Sequence, residues 1–194
     1  MSELKKIKFQ ELYTERLELR GPTFDTNQIH QAHRIANLDE VQRYAGWSKP
    51  SLEEVIKNTG NSIFEYTSLT RMLVWGVFLK NNPRKIGWVN IFASVPTNPY
   101  QAYVGYIFDP EFWGQGYATE AVQAIIDFAF ASQLELTSLR FSIFEQNQPS
   151  RKLAERLGAK LVGIIPDAWN VEGKAFNECV YVILKSELGE TDLE

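Results

Sequence analysis

One passage of this 194-residue chain limits its architecture more than any other. Ala102, Val104, Tyr106 and Phe108 alternate as one face of a strand. The strand stops at Asp109-Pro110, because proline has no amide to donate to a ladder. Trp113-Gly114-Gln115-Gly116-Tyr117-Ala118 follows, and a helix then places Ala118, Val122, Ile125, Ile126 and Ala129 inward. Glycines let the backbone turn and approach a ligand without a Cβ clash. The first amides of a helix have no partner inside it. They point outward with the positive end of the helix dipole, which suits a pyrophosphate.

Two common phosphate motifs fit poorly. A P-loop needs a lysine after its last glycine, and none follows here. A dinucleotide fingerprint wants a third glycine or alanine where Thr119 stands, and a tight turn straight after its strand. Here Asp109 to Trp113 intervene. From these residues alone, a glycine-rich connection with no ligand stays open.

The rest of the chain reads as mixed strands and helices around one sheet. Leu17 and Leu19 share one face of a half-buried strand, opposite Arg16, Glu18 and Arg20. Asp25 caps a helix bearing Ile29, Ala32, His33 and Ala36. Ser51 and Glu54 form a capping box before Leu52, Val55, Ile56, Thr59 and Ile63. Met72 to Leu79 and Lys85 to Ala93 form a hairpin across Asn81-Asn82-Pro83-Arg84. Trp75 and Trp88 are expected in its core. Leu139, Phe141 and Ile143 make another strand. Pro149 suits the first turn of a last helix and Gly158 its end. Leu161 to Ile165 and Phe176 to Leu184 are two final strands, with Glu172-Gly173-Lys174 turning between them. The last is apolar on both faces and belongs inside the sheet.

Composition narrows the function. Hydrophobic residues make up 44% and charged residues 23%, the balance of a globular chain with a core. The net charge of −4 argues against a nucleic-acid partner and tolerates a cationic amine. No apolar run is long enough to span a membrane, and the opening Met-Ser-Glu-Leu-Lys-Lys is not a secretory signal. A lone Cys179 excludes a disulfide framework within the chain. His30 and His33 lie in one helix without metal-ligand spacing, so no metal is expected. The expected location is the cytoplasm.

Gly105-Tyr106-Ile107-Phe108-Asp109-Pro110 with Trp113-Gly114-Gln115-Gly116-Tyr117-Ala118-Thr119-Glu120-Ala121 resembles the acetyl-CoA motif of GNAT-type N-acetyltransferases. Thr14 to Arg20, Lys85-Ile86-Gly87-Trp88 and Asn147-Gln148-Pro149-Ser150 resemble the branch that acetylates the N-termini of ribosomal proteins. The resemblance spans roughly residues 10–186 of a single domain, 1–194. It implies an α/β fold of the mixed α+β kind. A central, mostly antiparallel twisted sheet of about six to seven strands would be flanked by helices on both faces. It implies acetyl-CoA as co-substrate and an amine as acceptor, either a protein N-terminus or a small molecule, in a monomer or homodimer. A non-catalytic acyl-CoA-binding module on the same fold is the alternative.

The resemblance also assigns residues. The amides of Gly114, Gln115, Gly116, Tyr117, Ala118 and Thr119 would bind the pyrophosphate. Trp113 stands where the family usually has Arg or Gln, although tryptophan is common in this branch. Tyr106, Ile107 and Phe108 would pair with the pantetheine arm, one amide polarising the thioester carbonyl. Asn147 either contacts coenzyme A and fixes the site or merely caps a turn. Ser150 either protonates the departing sulfur or is a first-turn serine bonded to backbone. Ala154 occupies the position of the tyrosine acid used by many relatives. Tyr103 stands where this branch often has a glutamate, and Trp169 where another family type has one. Asp167, Glu172 and Glu178 read as solvated loop or strand-edge charges, so no essential general base is expected. Tyr44, Trp47 and Tyr103 are the acceptor-side candidates.

Overall fold

The computed structural model describes residues 7–23, 25–61, 65–66, 72–92, 98, 100–132 and 134–188. Ile63 and Ala93, each placed at the end of an element by its pattern, lie outside these. In chain order the elements are β1 (Ile7–Lys8), β2 (Leu12–Tyr13), β3 (Leu17–Arg20), α1 (Thr26–Ala36), α2 (Asp39–Gln42), α3 (Leu52–Asn61), β4 (Glu65–Tyr66), β5 (Met72–Leu79) and β6 (Lys85–Phe92). Then come β7 (Gln101–Phe108), α4 (Tyr117–Ala131), β8 (Ser138–Phe144), α5 (Gln148–Arg156), β9 (Lys160–Val171) and β10 (Lys174–Leu184). Short 3₁₀ turns cover Pro110–Phe112 and Lys185–Glu187.

Local chemistry sets the ends of these elements. Asp25 Oδ1 accepts from the Gln28 amide and starts α1. The Ser51 amide donates to Glu54 while the Glu54 amide donates to Ser51 Oγ, so the capping box before α3 is reciprocal. Asn81 sits at φ 60°, and Asn82 Oδ1 accepts from the Arg84 amide, closing the β5–β6 hairpin. Glu172 and Gly173, at φ 50° and 80°, make the tight turn between β9 and β10. These two strands run further toward their turn than their apolar residues suggest.

The main sheet has eight strands in the order β2-β3-β5-β6-β7-β8-β10-β9. That exceeds the expected six to seven, because β2 is too short to carry a period. β1 and β4 pair separately. Every pairing in the main sheet is antiparallel except β7 with β8, which is parallel and short. It joins Gln101, Ala102 and Tyr103 to Ser138, Leu139 and Arg140 and then ends. Val104–Phe108 and Phe141–Phe144 therefore run on without pairing to each other, and the sheet opens between them. β10 sits between β8 and β9, as its apolar faces require.

Helices cover both faces. Leu139, Phe141 and Ile143 of β8 and Cys179, Tyr181 and Ile183 of β10 pack with Ala121, Val122, Ile125 and Ile126 of α4 and Leu153 and Ala154 of α5. Phe144 and Val180 have the opposite parity and are buried outside this cluster, as are Ile29, Ile35 and Ala36 of α1. Trp75 is fully buried and donates its indole N–H to Gln10 O at 2.8 Å.

Candidate active site

The corner after β7 is tied down from three sides. Asp109 is 1% exposed. Its Oδ2 accepts from Arg34 of α1 and, at 3.1 Å, from Arg84 of the hairpin turn, and its Oδ1 accepts from the Glu111 amide. Burial alone would raise this carboxyl's pKa. The guanidiniums and the amide outweigh it and hold the group below the usual carboxylate range. Trp113 turns back so that its indole N–H donates to Phe108 O at 2.8 Å.

Beyond this corner the backbone turns through Gly114 and Gly116, at φ 72° and 83°. Gly116 is the N-cap of α4 and has no side chain with which to cap it. The amides of residues 111–113 are taken up by Asp109 and Pro110. Among the described residues, those of Gly114, Gln115, Gly116, Tyr117, Ala118 and Thr119 donate to nothing. The turn is exposed. Two arginines outside the motif flank it. Arg16 Nη1 donates to Gln115 O at 3.0 Å, and Arg156 Nη1 donates to Thr119 Oγ1 at 3.3 Å. Arg16 is held by Glu120, whose carboxylate also accepts from the Thr14 hydroxyl and the Arg16 amide. The T-E-R segment therefore supports the glycine turn from across the sheet, a link no linear spacing reveals.

The opening between β7 and β8 lies beside this turn. The Asp109 amide donates to Ile86 O on β6 at 2.9 Å. Alternation then turns the main-chain groups of Tyr106 and Phe108 the other way, toward the opening. The Tyr106 hydroxyl reaches the start of α5, where it shares a 2.6 Å hydrogen bond with Ser150 Oγ. Asn147 is the N-cap of α5, and its Oδ1 accepts from the Ser150 amide at 3.2 Å. Of the two readings of Asn147, the geometry displays the cap. Ser150 bonds a side chain on β7. Burial pushes the Tyr106 phenol up to about 12, with the Ser150 bond offsetting part of the shift, so it is protonated at neutral pH.

On the other face, the point where β7 and β8 part carries a polar cluster. Arg140 donates to Glu178 Oε1 at 2.8 Å, and the Ser142 hydroxyl donates to the same oxygen. The guanidinium lies over the Tyr103 ring, 5.2 Å from its centroid, and Tyr103 stacks on Phe92. Reading Glu178 as a solvated strand-edge charge is incorrect. It is 7% exposed, because its strand lies inside the sheet between β8 and β9. Asp167 and Glu172 are exposed, as expected. Phe144, opposite Glu178 in register, packs edge-on against Trp169. The Trp169 ring in turn fills the space beside Gly46, where a Cβ would approach it to 2.9 Å. This brings the loop of Tyr44 and Trp47 next to the β9–β10 hairpin. Tyr44 is half-buried and Trp47 is 44% exposed. Among the described residues, no His, Cys, Asp and Glu group has metal-site geometry. No described helix is long and apolar enough to cross a membrane.

A sheet parted beside a helix whose first amides are free offers a cleft with an anion site at its mouth, suited to a ligand that carries a diphosphate. A family model described as "Acetyltransferase (GNAT) domain" matches residues 16–160, and the chain belongs to the GNAT acetyltransferase family. It is an acetyl-CoA-dependent N-acetyltransferase. It is 27% identical to the uncharacterised N-acetyltransferase YoaA of Bacillus subtilis, over 91% of this chain and 98% of that one. A GNAT-family acetyltransferase from Bacillus anthracis has the same fold, with a TM-score of 0.79 at 20% identity, over 92% of this chain and 100% of that one. So does RimL, a ribosomal L7/L12 α-N-protein acetyltransferase solved with coenzyme A, with a TM-score of 0.76 at 23% identity, over 90% and 98%.

Proposed function

We propose that the protein transfers the acetyl group of acetyl-CoA directly to a primary amine, with a protein N-terminus as the acceptor. The observation that carries this reading is the set of unclaimed amides at Gly114–Thr119, set beside the opening between β7 and β8. Six N–H groups and the positive end of α4 suit the diphosphate of coenzyme A. The pantetheine arm then follows Tyr106, Ile107 and Phe108, where the sheet has left an unpaired edge. An amide of Tyr106 or Phe108 polarises the thioester carbonyl, worth roughly 3 kcal/mol of barrier. Ser150 donates its proton to the sulfur as it leaves, and the Tyr106 hydroxyl stands behind it in the same hydrogen bond. A thiol with a pKa of about 8.5 is already a fair leaving group, so a weak acid suffices.

The acceptor must attack as a neutral amine. An α-amine, with a pKa of about 7.7–8.0, is partly neutral at pH 7, whereas lysine at about 10.4 is not. A protein N-terminus therefore asks least of a site in which no side chain is assigned as general base. RimL, which shares the fold, is described as an α-N-protein acetyltransferase, and this agrees with the choice. Tyr44, Trp47 and Tyr103 are assigned to the acceptor side.

The test is thiol release from acetyl-CoA over tetrapeptides of varied N-terminal residue, polyamines and antibiotic amines. Turnover is expected with free N-termini and absent with the same peptides N-formylated. Tight acetyl-CoA binding with no thiol released across the panel would leave a non-catalytic acyl-CoA-binding module.

A further inference from the structure

We infer that Glu178 is the docking group for the acceptor amine, and that the site is shaped for an amine with a carbonyl on the adjacent carbon. The inference rests on the transferase reading above and adds the residue that receives the second substrate. Glu178 is buried on β10 opposite Phe144, on the face away from α4 and α5, and its partner Arg140 stands in the last residue pair of the β7–β8 ladder. One carboxylate oxygen, Oε1, is held by Arg140 and Ser142. The other, Oε2, accepts no hydrogen bond among the described residues. A carboxylate fixed through one oxygen presents the second in a set direction, and an amine N–H satisfies it.

A second observation concerns the same side chain. Arg140 Nε is buried with no hydrogen-bond partner, within one guanidinium of the bond to Glu178. Unpartnered buried donors are uncommon, and this one has a hydrogen bond left to give. A free carboxylate oxygen next to a free N–H complements H₂N–C–C=O, the first atoms of a peptide. It does not complement a simple alkylamine. Tyr103, under the guanidinium, supports Arg140 from below.

Glu178→Gln separates this role from a structural one. The glutamine carbonyl still accepts from Arg140 and Ser142, while an NH₂ replaces Oε2. With a tetrapeptide bearing a free N-terminal serine, KM for the peptide should rise at least tenfold, with acetyl-CoA affinity within twofold of wild type. Ser142→Ala, a smaller change that leaves the ion pair, should raise the same KM about threefold. Arg140→Lys keeps the cation and removes Nε–H. It should reduce the preference for the peptide over n-butylamine at least fivefold, a ratio that cancels amine ionisation. If Glu178→Gln folds and leaves the peptide KM within threefold, the proposal fails. If that variant does not fold, an unchanged KM in Ser142→Ala overturns it. A wild-type protein that binds acetyl-CoA but acetylates neither amine would overturn the transferase reading, and this proposal with it.

Discussion

At the scale of single residues, the proposed acid step rests on the hydrogen bond between Tyr106 and Ser150. A serine in the first turn of a helix normally spends its hydroxyl on backbone. Here Asn147 takes over the capping, which leaves Ser150 Oγ for Tyr106 across the opening. Ser150→Ala should lower kcat roughly 10- to 100-fold, at the low end of general-acid effects because a thiolate leaves readily. Tyr106→Phe should cost less, about threefold to tenfold, because it removes only the group behind the acid. Neither should change the Kd of acetyl-CoA by calorimetry. Equal loss of binding and turnover would mean that the pair is structural. Ser150 is legible in sequence as a candidate. Tyr106's hydroxyl is not, because a strand pattern shows which face a side chain takes and not what it meets.

At the scale of elements, the turn into α4 and the corner before it act as one unit. Gly116 is held at φ 83°, which disfavours any Cβ, and the branched carbons of a larger residue would crowd Arg16, whose Nη2 lies 3.2 Å from where a Cβ would stand. Gly116→Val should therefore abolish acetyl-CoA binding. Gly114→Ala meets nothing within 4 Å and should cost only the backbone strain, about 1–2 kcal/mol of stability. Titration calorimetry and urea unfolding on the same two variants check this. If Gly116→Val binds acetyl-CoA within tenfold of wild type, the amide cradle is not the diphosphate site. The pattern of strand, Asp-Pro, glycines and helix is local and can be read directly. The arginines beside it, Arg16 and Arg156, arrive from β3's approach and from α5. Their part depends on which elements the fold sets side by side.

At the scale of the whole molecule, buried charges set the pH range of the fold. Burial raises the pKa of Asp109 and Glu120, but their partners lower it further, so both end below their ordinary values. A depressed carboxylate pKa contributes stability that is complete above the unfolded value, about 3.9 for Asp and 4.3 for Glu. That contribution is lost as pH falls through the folded values. The urea midpoint should therefore drop steeply below about pH 4, and less steeply in Glu120→Gln. Lys85 has the opposite sense. Burial lowers its pKa to about 8, so the folded state disfavours its charge. Below that value the penalty is complete, and it fades as pH rises toward the unfolded value of about 10.4. Lys85→Met should raise Tm at pH 7 and bring less gain at pH 10. A gain independent of pH would show that the cost of Lys85 is packing and not charge.

The sequence by itself determined the periodic and the local features. These are the strand and helix faces, the Asp25 and Ser51–Glu54 caps, the hairpin turn, and the glycine turn with its free amides. Each depends on residues within a few positions of one another, where side-chain type and backbone geometry leave few choices. Only the tertiary structure decided that the parallel β7–β8 ladder ends at Tyr103 and opens the sheet. The same holds for the burial of Glu178 with Arg140 and Ser142, in place of the solvated charge its neighbours suggested. Strand order brings together groups from β7, β8 and β10. Whether a carboxylate is solvated or enclosed depends on those neighbours, which a linear pattern does not contain.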